Sequence, residues 1–167
     1  MVTRERFLQG MTWQQYLDQM NTNKDAFLKH LDEIRVRPED RDALAKLPGK
    51  LRCLVITEDW CGDALYNFPV LAKLVVDNPS IEMRIFLRDQ NPDLMNQYLN
   101  QGIYRSIPVF VFFDERMNEV ARLIERPPTV TEQLEKAMLE VRKKFRADNV
   151  ESWRQAVVDE VRTLLKV

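Results

Sequence analysis

The residue best suited to chemistry is Cys61, which lies where an apolar segment gives way to a helical pattern. Residues 51–57 form an apolar, partly β-branched run that predicts a buried strand, and a helix is predicted to begin at Gly62. A cysteine at a helix N-terminus gains thiolate character from unpaired backbone N–H groups and from the helix dipole. Because the thiolate is the nucleophile in disulfide exchange, this placement indicates thiol–disulfide chemistry.

Cys61 has no second cysteine near enough to form a disulfide. The chain contains two cysteines, and the other, Cys53, lies within the strand-like segment. Eight residues of mostly extended chain separate their Cα atoms by up to roughly 25 Å, whereas a disulfide tolerates about 7 Å. We therefore predict that Cys53 is a small buried hydrophobe and that Cys61 is a surface thiol that is alkylated well before it.

Two motifs accompany this thiol. Trp60-Cys61-Gly62 occupies the strand-to-helix turn, and Ser106-Ile107-Pro108 leads into a second buried strand, residues 108–113. The combination resembles the thioredoxin family, and the resemblance covers about residues 50–145. It implies an α/β, thioredoxin-like fold, a mixed central sheet flanked by helices, here with extra N- and C-terminal helices. It also implies a cis Ile107–Pro108 bond that faces Cys61.

The sequence departs from the family pattern at two positions. Ala64 stands where the second cysteine of Cys-x-x-Cys would be, and Val55 stands where many thioredoxins keep a buried carboxylate that assists proton transfer to that cysteine. Pro69 and the segment 89–92, in contrast, match the family's helix proline and second crossover. Both departures remove the half-reaction in which the second cysteine resolves a mixed disulfide. The resemblance therefore implies a single-thiol variant.

One thiol permits a narrower chemistry than two. The leading hypothesis is a monothiol thiol–disulfide oxidoreductase, in which Cys61 attacks a mixed disulfide, holds a small thiol and releases it to a second soluble thiol. The expected partners are protein thiols or mixed disulfides and a low-molecular-weight thiol, and no cofactor is expected. The alternative is a non-catalytic thioredoxin-fold module that binds a partner protein through the surface around Cys61 and Pro108.

The neighbours of Cys61 supply the candidate substrate-binding residues: Trp60, Gly62, Asp63, Ile107 and Pro108. Trp60 is either a packing residue or a surface platform for substrates. Asp63 is either a first-turn acid that interacts with the helix dipole or an acid–base group. The Ile107 backbone would present an edge to an extended substrate, with Pro108 fixing the shape of the loop.

Charge near Cys61 acts on its pKa in two directions. Glu58, Asp59 and Asp63 oppose ionisation, since like charges raise the pKa of a cysteine. Arg105, three residues before Pro108, is expected to approach the same surface and offset them. We therefore expect a moderately activated thiol.

The composition excludes several classes of function. The 25 basic and 26 acidic residues nearly cancel, and no basic run points to nucleic acid. No apolar stretch approaches the roughly 20 residues of a membrane span, and residues 1–6 have no leader pattern, so we expect a cytoplasmic protein without membrane contact. One thiol with acidic neighbours does not match a zinc set, and the single histidine, His30, is remote in sequence, so no metal is expected.

The periodicity of the chain predicts an N-terminal helical extension and then an alternating core. Residues 1–49 form that extension packed on the core, 50–145 the thioredoxin-like domain and 146–167 a C-terminal helix, in one compact domain overall. The predicted strands are 52–57, 81–87, 108–113 and 119–124. The predicted helices are 12–20, 25–34, one from Pro38 to Pro48-Gly49, 62–76, 92–102, 131–146 and 149–165.

The last helix carries an apolar stripe that a core of this size does not require: Val150, Trp153, Val157, Val161, Leu164 and Leu165. Either the stripe packs against the N-terminal helices of the same chain, or it forms the interface of a homodimer.

Overall fold

The structure, a computed structural model, describes residues 1–47 and 49–166. The helices in these residues are α1 (Arg4–Leu8), α2 (Trp13–Gln19), α3 (Lys24–Glu33), α4 (Pro38–Ala45), α5 (Gly62–Val75), α6 (Pro92–Met95), α7 (Pro128–Asp148) and α8 (Val150–Leu165). The strands are β1 (Leu51–Thr57), β2 (Ile81–Leu87), β3 (Val109–Phe113) and β4 (Glu119–Ile124). The chain divides into two compact units, Met1–Arg126 and Pro127–Val167.

The first unit is built on a mixed four-stranded sheet in the order β2-β1-β3-β4. β1 is parallel to β2, with Val55 opposite Ile85, and antiparallel to β3, with Val55 opposite Phe110. Leu54 and Ile56 lie in one hydrophobic cluster, whereas Cys53 and Val55 lie in the other. Because both faces of β1 are covered, its residues 53–56 are all apolar rather than alternating. The α/β, thioredoxin-like fold predicted from the sequence is confirmed.

The N-terminal extension shares the core of the sheet. Tyr16 of α2, Met20 just after it and Phe27 of α3 are buried in one cluster with Val55 and with Phe68 of α5. Burial of these side chains ties the first helices to the sheet through the hydrophobic effect. The N-terminal helices therefore contribute side chains to the core of the first unit.

Local signals set the ends of the early helices. The capping box predicted at the start of α2 is confirmed: Gln15 N donates to Thr12 Oγ1 at 3.3 Å and Thr12 N to Gln15 Oε1 at 2.8 Å. Pro38 opens α4 as expected. Pro48, which we expected to stop that helix together with Gly49, lies outside the described residues.

The predicted helix 92–102 is wrong in length, because α6 ends at Met95. The backbone turns back on itself instead: Asn100 N donates to Tyr104 O at 2.8 Å, and Tyr104 N to Asn100 O at 2.9 Å. Gln101 and Gly102 adopt φ values of 52° and 74°, which are incompatible with a continuing right-handed helix.

The second unit consists of α7 and α8, with Asn149 between them. α7 begins at Pro128, a favoured first helical residue, rather than at residue 131. The boundary expected at residue 145 falls inside α7, whereas the two units meet between Arg126 and Pro127. No helix in the described residues is both long and apolar enough to cross a membrane.

Candidate functional site

Cys61 is the N-cap residue of α5, the helix that follows β1 after a short loop. Its backbone is extended, with φ −76° and ψ 121°, and its Sγ accepts a hydrogen bond from Ala64 N at 3.5 Å. The sulfur therefore takes the place of the side-chain oxygen that usually caps a helix. This contact would strengthen if the sulfur became negatively charged.

The loop before β3 meets the same sulfur. The Ile107–Pro108 peptide bond is cis, and Cys61 Sγ donates to Ile107 O at 3.4 Å. Thus Cys61, Ile107 and Pro108, separated by more than forty residues of sequence, form one site. In the resting protein the thiol proton is directed at the carbonyl of Ile107.

Burial dominates the ionisation of Cys61. Its side chain is only 8% exposed, and this burial raises the pKa of the thiol. The N–H groups of Ala64 and Asp63 lower the pKa, the Asp63 carboxylate raises it and Arg88 lowers it, with a raised pKa as the net result. Our expectations of a surface thiol and of a moderately activated one are both wrong, because desolvation outweighs the helix N-terminus.

Cys53 lies in the centre of β1 and has no exposed surface. Burial alone raises the pKa of its thiol far above the ordinary value. The interpretation of Cys53 as a buried hydrophobe agrees with this position. Cys61 therefore has the more accessible of the two sulfurs.

Trp60 lies on the surface beside the thiol. It is 47% exposed, and the guanidinium carbon of Arg88 lies 4.8 Å from its ring centroid, a cation–π contact. Arg88 also pairs with Asp89, Nε to Oδ1 at 2.8 Å, and donates to Arg105 O at 3.4 Å. Of the two roles considered for Trp60, this position favours the platform.

Arg88, rather than the expected Arg105, is the cation with observed contacts at the site: it stacks on the Trp60 ring and lowers the pKa of the Cys61 thiol. Arg105 is exposed and contributes its backbone carbonyl to Arg88. Arg105 was expected because it is close to Pro108 in sequence. Arg88 directly follows β2, and the pairing of β2 with β1 brings it to the loop that carries Trp60.

Asp63 is held in an ion pair with Arg126. Its Oδ2 accepts from Arg126 Nη1 at 2.8 Å, and Arg126 also contacts Glu125 at 2.6 Å. Asn67 Nδ2 donates to the Glu125 carbonyl at 2.7 Å, which links this network to α5. Because Asp63 is paired with Arg126, it is better explained as a structural residue of the first turn of α5 than as an acid–base group.

Gly62 leaves open space at the surface of the site. A Cβ atom at this position would meet no heavy atom within 4 Å, and its backbone does not require glycine.

The turn at residues 21–23 fixes the loop that carries Trp60. Asp59 Oδ2 accepts from Asn21 N at 2.8 Å and from Thr22 N at 3.0 Å, and Asn23 Nδ2 donates to Asp59 O at 3.0 Å. Asn23 adopts φ 57°, a left-handed conformation that asparagine tolerates. The N-terminal extension thus positions the site, a contact that sequence periodicity does not reveal.

The acidic residues near Cys61 form hydrogen bonds or ion pairs with groups other than the thiol. Glu58 is 7% exposed and accepts from Asp89 N at 2.8 Å, and its burial raises the pKa of its carboxyl group. In residues 1–47 and 49–166, no cluster of three or more histidine, cysteine or acidic side chains is arranged to hold a metal ion.

Comparison with known proteins identifies the family. A family model described as thioredoxin matches residues 10–149, and the chain therefore belongs to the thioredoxin family. No curated protein matches the sequence. A protein of unknown function from Pseudomonas aeruginosa is similar in structure, with 20% identity, a TM-score of 0.71 and coverage of 96% of this chain and 99% of that one. An HIV epitope-scaffold is also similar, with 22% identity, a TM-score of 0.66 and coverage of 78% and 81%. These likenesses concern the fold.

We predict that an alkylating reagent modifies Cys61 before Cys53, because Cys61 lies at the edge of the fold and Cys53 in its centre. The raised pKa leaves the neutral thiol predominant at pH 7. The alkylation rate at Cys61 should therefore rise about tenfold per pH unit up to its pKa, above the ordinary value near pH 9. Peptide mass spectrometry at a series of pH values measures both rates. Equal labelling of the two cysteines, or a rate already constant at pH 7, would contradict this assignment.

Arg88→Gln is predicted to raise the pKa of Cys61 further, because it removes the cation that favours the thiolate. The pH–rate profile for alkylation should move to higher pH, and labelling at pH 7 should become severalfold slower. Arg105→Gln is the matched control and should leave the profile unchanged. A shift in the control without a shift in Arg88→Gln would restore the assignment made from sequence.

Proposed function

We propose that the protein is a monothiol thiol–disulfide oxidoreductase that transfers low-molecular-weight thiols between mixed disulfides through Cys61. The observation that carries the proposal is the contact of Cys61 Sγ with both Ala64 N, at 3.5 Å, and Ile107 O, at 3.4 Å. A helix N-terminus stabilises the attacking thiolate, and a backbone edge next to it aligns an extended substrate.

The reaction consists of two exchanges, each forming one S–S bond and breaking one. Cys61 first loses its proton to solvent and attacks the mixed disulfide of a protein and a small thiol. The protein sulfur leaves as a thiolate and takes a proton, and the small thiol remains on Cys61. A second small thiol, as thiolate, then attacks the sulfur of the bound small thiol, which releases a small-molecule disulfide and the Cys61 thiolate. In the net reaction the protein sulfur is reduced to a thiol, and the sulfur of the second small thiol is oxidised into the released disulfide.

The substrate class follows from the absence of a resolving thiol in Cys-x-x-Cys spacing. Ala64 provides no sulfur, and Cys53 lies fully buried in β1. An intermediate with a protein substrate therefore has nothing local to resolve it, and the soluble thiol must do so. Such a reaction needs a reducing thiol pool, which fits a cytoplasmic location.

The neighbouring residues have distinct proposed roles. Ile107 and Pro108 present the backbone edge that receives the substrate chain. Trp60 offers an exposed ring beside the sulfur, and Gly62 leaves space for the small thiol. Asp63, through its pair with Arg126, is a positioning residue for the first turn of α5.

A non-catalytic binding module is the second candidate. The burial of Cys61, at 8% exposure with a raised pKa, favours it, because neither property accelerates attack on a disulfide. In this case the protein surface at Trp60 and Pro108 would hold a partner without covalent chemistry.

Intact mass spectrometry tests the proposal. Incubation with the symmetric disulfide of a small thiol should add one thiol to the protein, and a second, free thiol should remove it. Cys61→Ser should add none, whereas Cys53→Ala, the matched control, should behave like wild type. If wild-type protein acquires no adduct, or acquires one that added thiols never release, the oxidoreductase proposal fails. The binding module is then the better description.

A further inference from the structure

Tyr16 carries a buried hydroxyl that the proposed reaction does not use. Its side chain has no exposed surface, and its ring centroid lies 5.2 Å from that of Phe68 in the core of the first unit. Within residues 1–47 and 49–166, no group is placed to form a hydrogen bond with the Tyr16 hydroxyl. A buried hydroxyl without a partner costs free energy, whereas phenylalanine would fill the same space without this cost. The retention of such a group points to a role for it.

Thr57 presents a second hydroxyl of the same kind. It is the last residue of β1, has no exposed surface, and its Oγ1 also has no hydrogen-bond partner in the part of the chain that the structure describes. The Thr57 hydroxyl acts on the pKa of Tyr16, so the two hydroxyls are neighbours, although their geometry in the resting protein is not that of a hydrogen bond. Each hydroxyl has one donor and can rotate to suit the group that it faces. The two residues therefore form a buried hydroxyl pair where α2 meets the end of β1.

The loop from Thr57 to Cys61 keeps this hydroxyl pair close to the thiol. Cys61 N donates to Glu58 O at 3.3 Å, so the chain turns back directly after Thr57. The segment that follows α2 is bonded to the same loop, because Asp59 Oδ2 accepts from Asn21 N at 2.8 Å. The end of α2 and the end of β1 are thus both held against the loop that carries the sulfur.

The Tyr16 hydroxyl responds to the charges of this loop. Burial raises the pKa of Tyr16 most strongly, the Thr57 hydroxyl lowers it, and the negative charges of Asp59, Glu58 and Cys61 raise it further. The result is a pKa far above the ordinary value of a tyrosine. The phenol therefore keeps its proton while Cys61 ionises, and it remains a hydrogen-bond donor throughout.

We propose that Tyr16 is a positioning residue for Cys61: its hydroxyl, acting together with that of Thr57, favours the thiolate of Cys61 from inside the fold. As negative charge develops on the sulfur, the two hydroxyls turn their O–H dipoles toward it. A donor stabilises a charged acceptor more than a neutral one, and the effect is largest away from water. This role rests on the proposed function only in taking Cys61 as the reacting thiol.

The charged groups that face the thiol and the phenol come from three elements. Besides burial and the N–H groups of the helix start, Asp63 of α5 raises the pKa of the thiol, and Arg88, which follows β2, lowers it. Glu58 and Asp59 of the loop raise the pKa of the phenol. Removal of a hydroxyl leaves each of these charges in place. A change in the ionisation of the thiol therefore reports the hydroxyl itself.

Tyr16→Phe tests this role, because it removes the hydroxyl and keeps the ring in the core. The pH–rate profile for alkylation of Cys61 should move to higher pH, and labelling at pH 7 should fall about threefold to tenfold. Tyr98→Phe is the matched control, since Tyr98 is also buried, at 4% exposure. Apart from burial, the groups that act on the pKa of Tyr98 are Glu119 and Arg122, so its removal should leave the profile unchanged.

Thr57 supplies a second pair of variants, which decides the same question if Tyr16→Phe does not fold. Thr57→Val removes the hydroxyl at nearly the same shape and should shift the profile in the same direction. Thr57→Ser keeps the hydroxyl and should have the wild-type profile. Because the two hydroxyls act as a pair, Tyr16→Phe combined with Thr57→Val should shift the profile by less than the sum of the single shifts.

A hydroxyl with a purely structural role would give a different result. Tyr16→Phe would then keep the wild-type profile, and its unfolding midpoint in denaturant would be equal or higher, because an unpaired buried group has been removed. That result overturns the proposal, as does an equal shift in Tyr98→Phe or in Thr57→Ser.

Alkylation requires no exchange of thiols, so this test is separate from that of the proposed function. A protein that takes up no small thiol, but whose profile shifts in Tyr16→Phe, keeps the role of Tyr16 and loses the oxidoreductase activity. A protein that exchanges small thiols, but whose profile is the same in Tyr16→Phe, keeps the activity and loses the role of Tyr16.

Discussion

Ala64→Cys is expected to convert the protein from a single-thiol to a dithiol protein. Ala64 lies one helical turn after Cys61, and its N–H is 3.5 Å from Cys61 Sγ. Side chains three residues apart at a helix start lie about 5–6 Å apart at Cβ and point to the same side, which brings two sulfurs within disulfide reach. The intact mass after oxidation should fall by two hydrogens, and insulin reduction should rise from background by at least about an order of magnitude.

Ala64→Ser is the matched control for this variant, because the hydroxyl has nearly the size of the thiol and the position is 2% exposed. It should show neither the internal disulfide nor insulin reduction. Adding Cys61→Ser to Ala64→Cys should abolish both properties again. An Ala64→Cys protein that folds but remains a free dithiol under oxidation would contradict the geometry assigned to the site.

Short apolar runs bounded by turn signals predicted the elements that build the sheet. β2 has the predicted bounds, and β1 and α5 differ from the predictions by one residue each. Most buried positions of these segments are apolar, so the local sequence is enough to predict them. The prediction of a helix over residues 92–102 was wrong because the chain turns back at this point. The backbone hydrogen bonds between Asn100 and Tyr104 replace those of a continuing helix.

The site residues that belong to a short sequence motif could be predicted, whereas those that the fold brings in from distant segments could not. Cys61 and Pro108 stand in recognisable motifs, and the structure brings Cys61 against the loop of Pro108. Arg88 and the 21–23 turn reach the site only through the fold, from separations of 27 to 40 residues. The burial of Cys61 likewise depends on packing around it, so its raised pKa could not be read from the helix N-terminus alone.

Phe68→Ala is expected to destabilise the first unit by about 3–5 kcal/mol, a large share of the free energy of unfolding of a small domain. Phe68 is fully buried in α5 and joins the N-terminal helices to the sheet. Its ring centroid lies between 5.2 and 6.0 Å from those of Trp13, Tyr16, Phe27 and Phe110. Truncation leaves a cavity in this cluster and also removes several aromatic contacts at once.

Denaturant unfolding followed by tryptophan fluorescence measures this loss, since Trp13 packs on the Phe68 ring. Tyr66→Ala is the matched control: it truncates an aromatic residue two positions earlier in α5, where the side chain is 64% exposed. Its cost should be no more than about 1 kcal/mol. Because Phe68 anchors the helix that begins at Cys61, its truncation should also speed alkylation of that thiol under native conditions, whereas the control should not. Equal costs for the two variants would show that the cluster does not hold the N-terminal extension against the site.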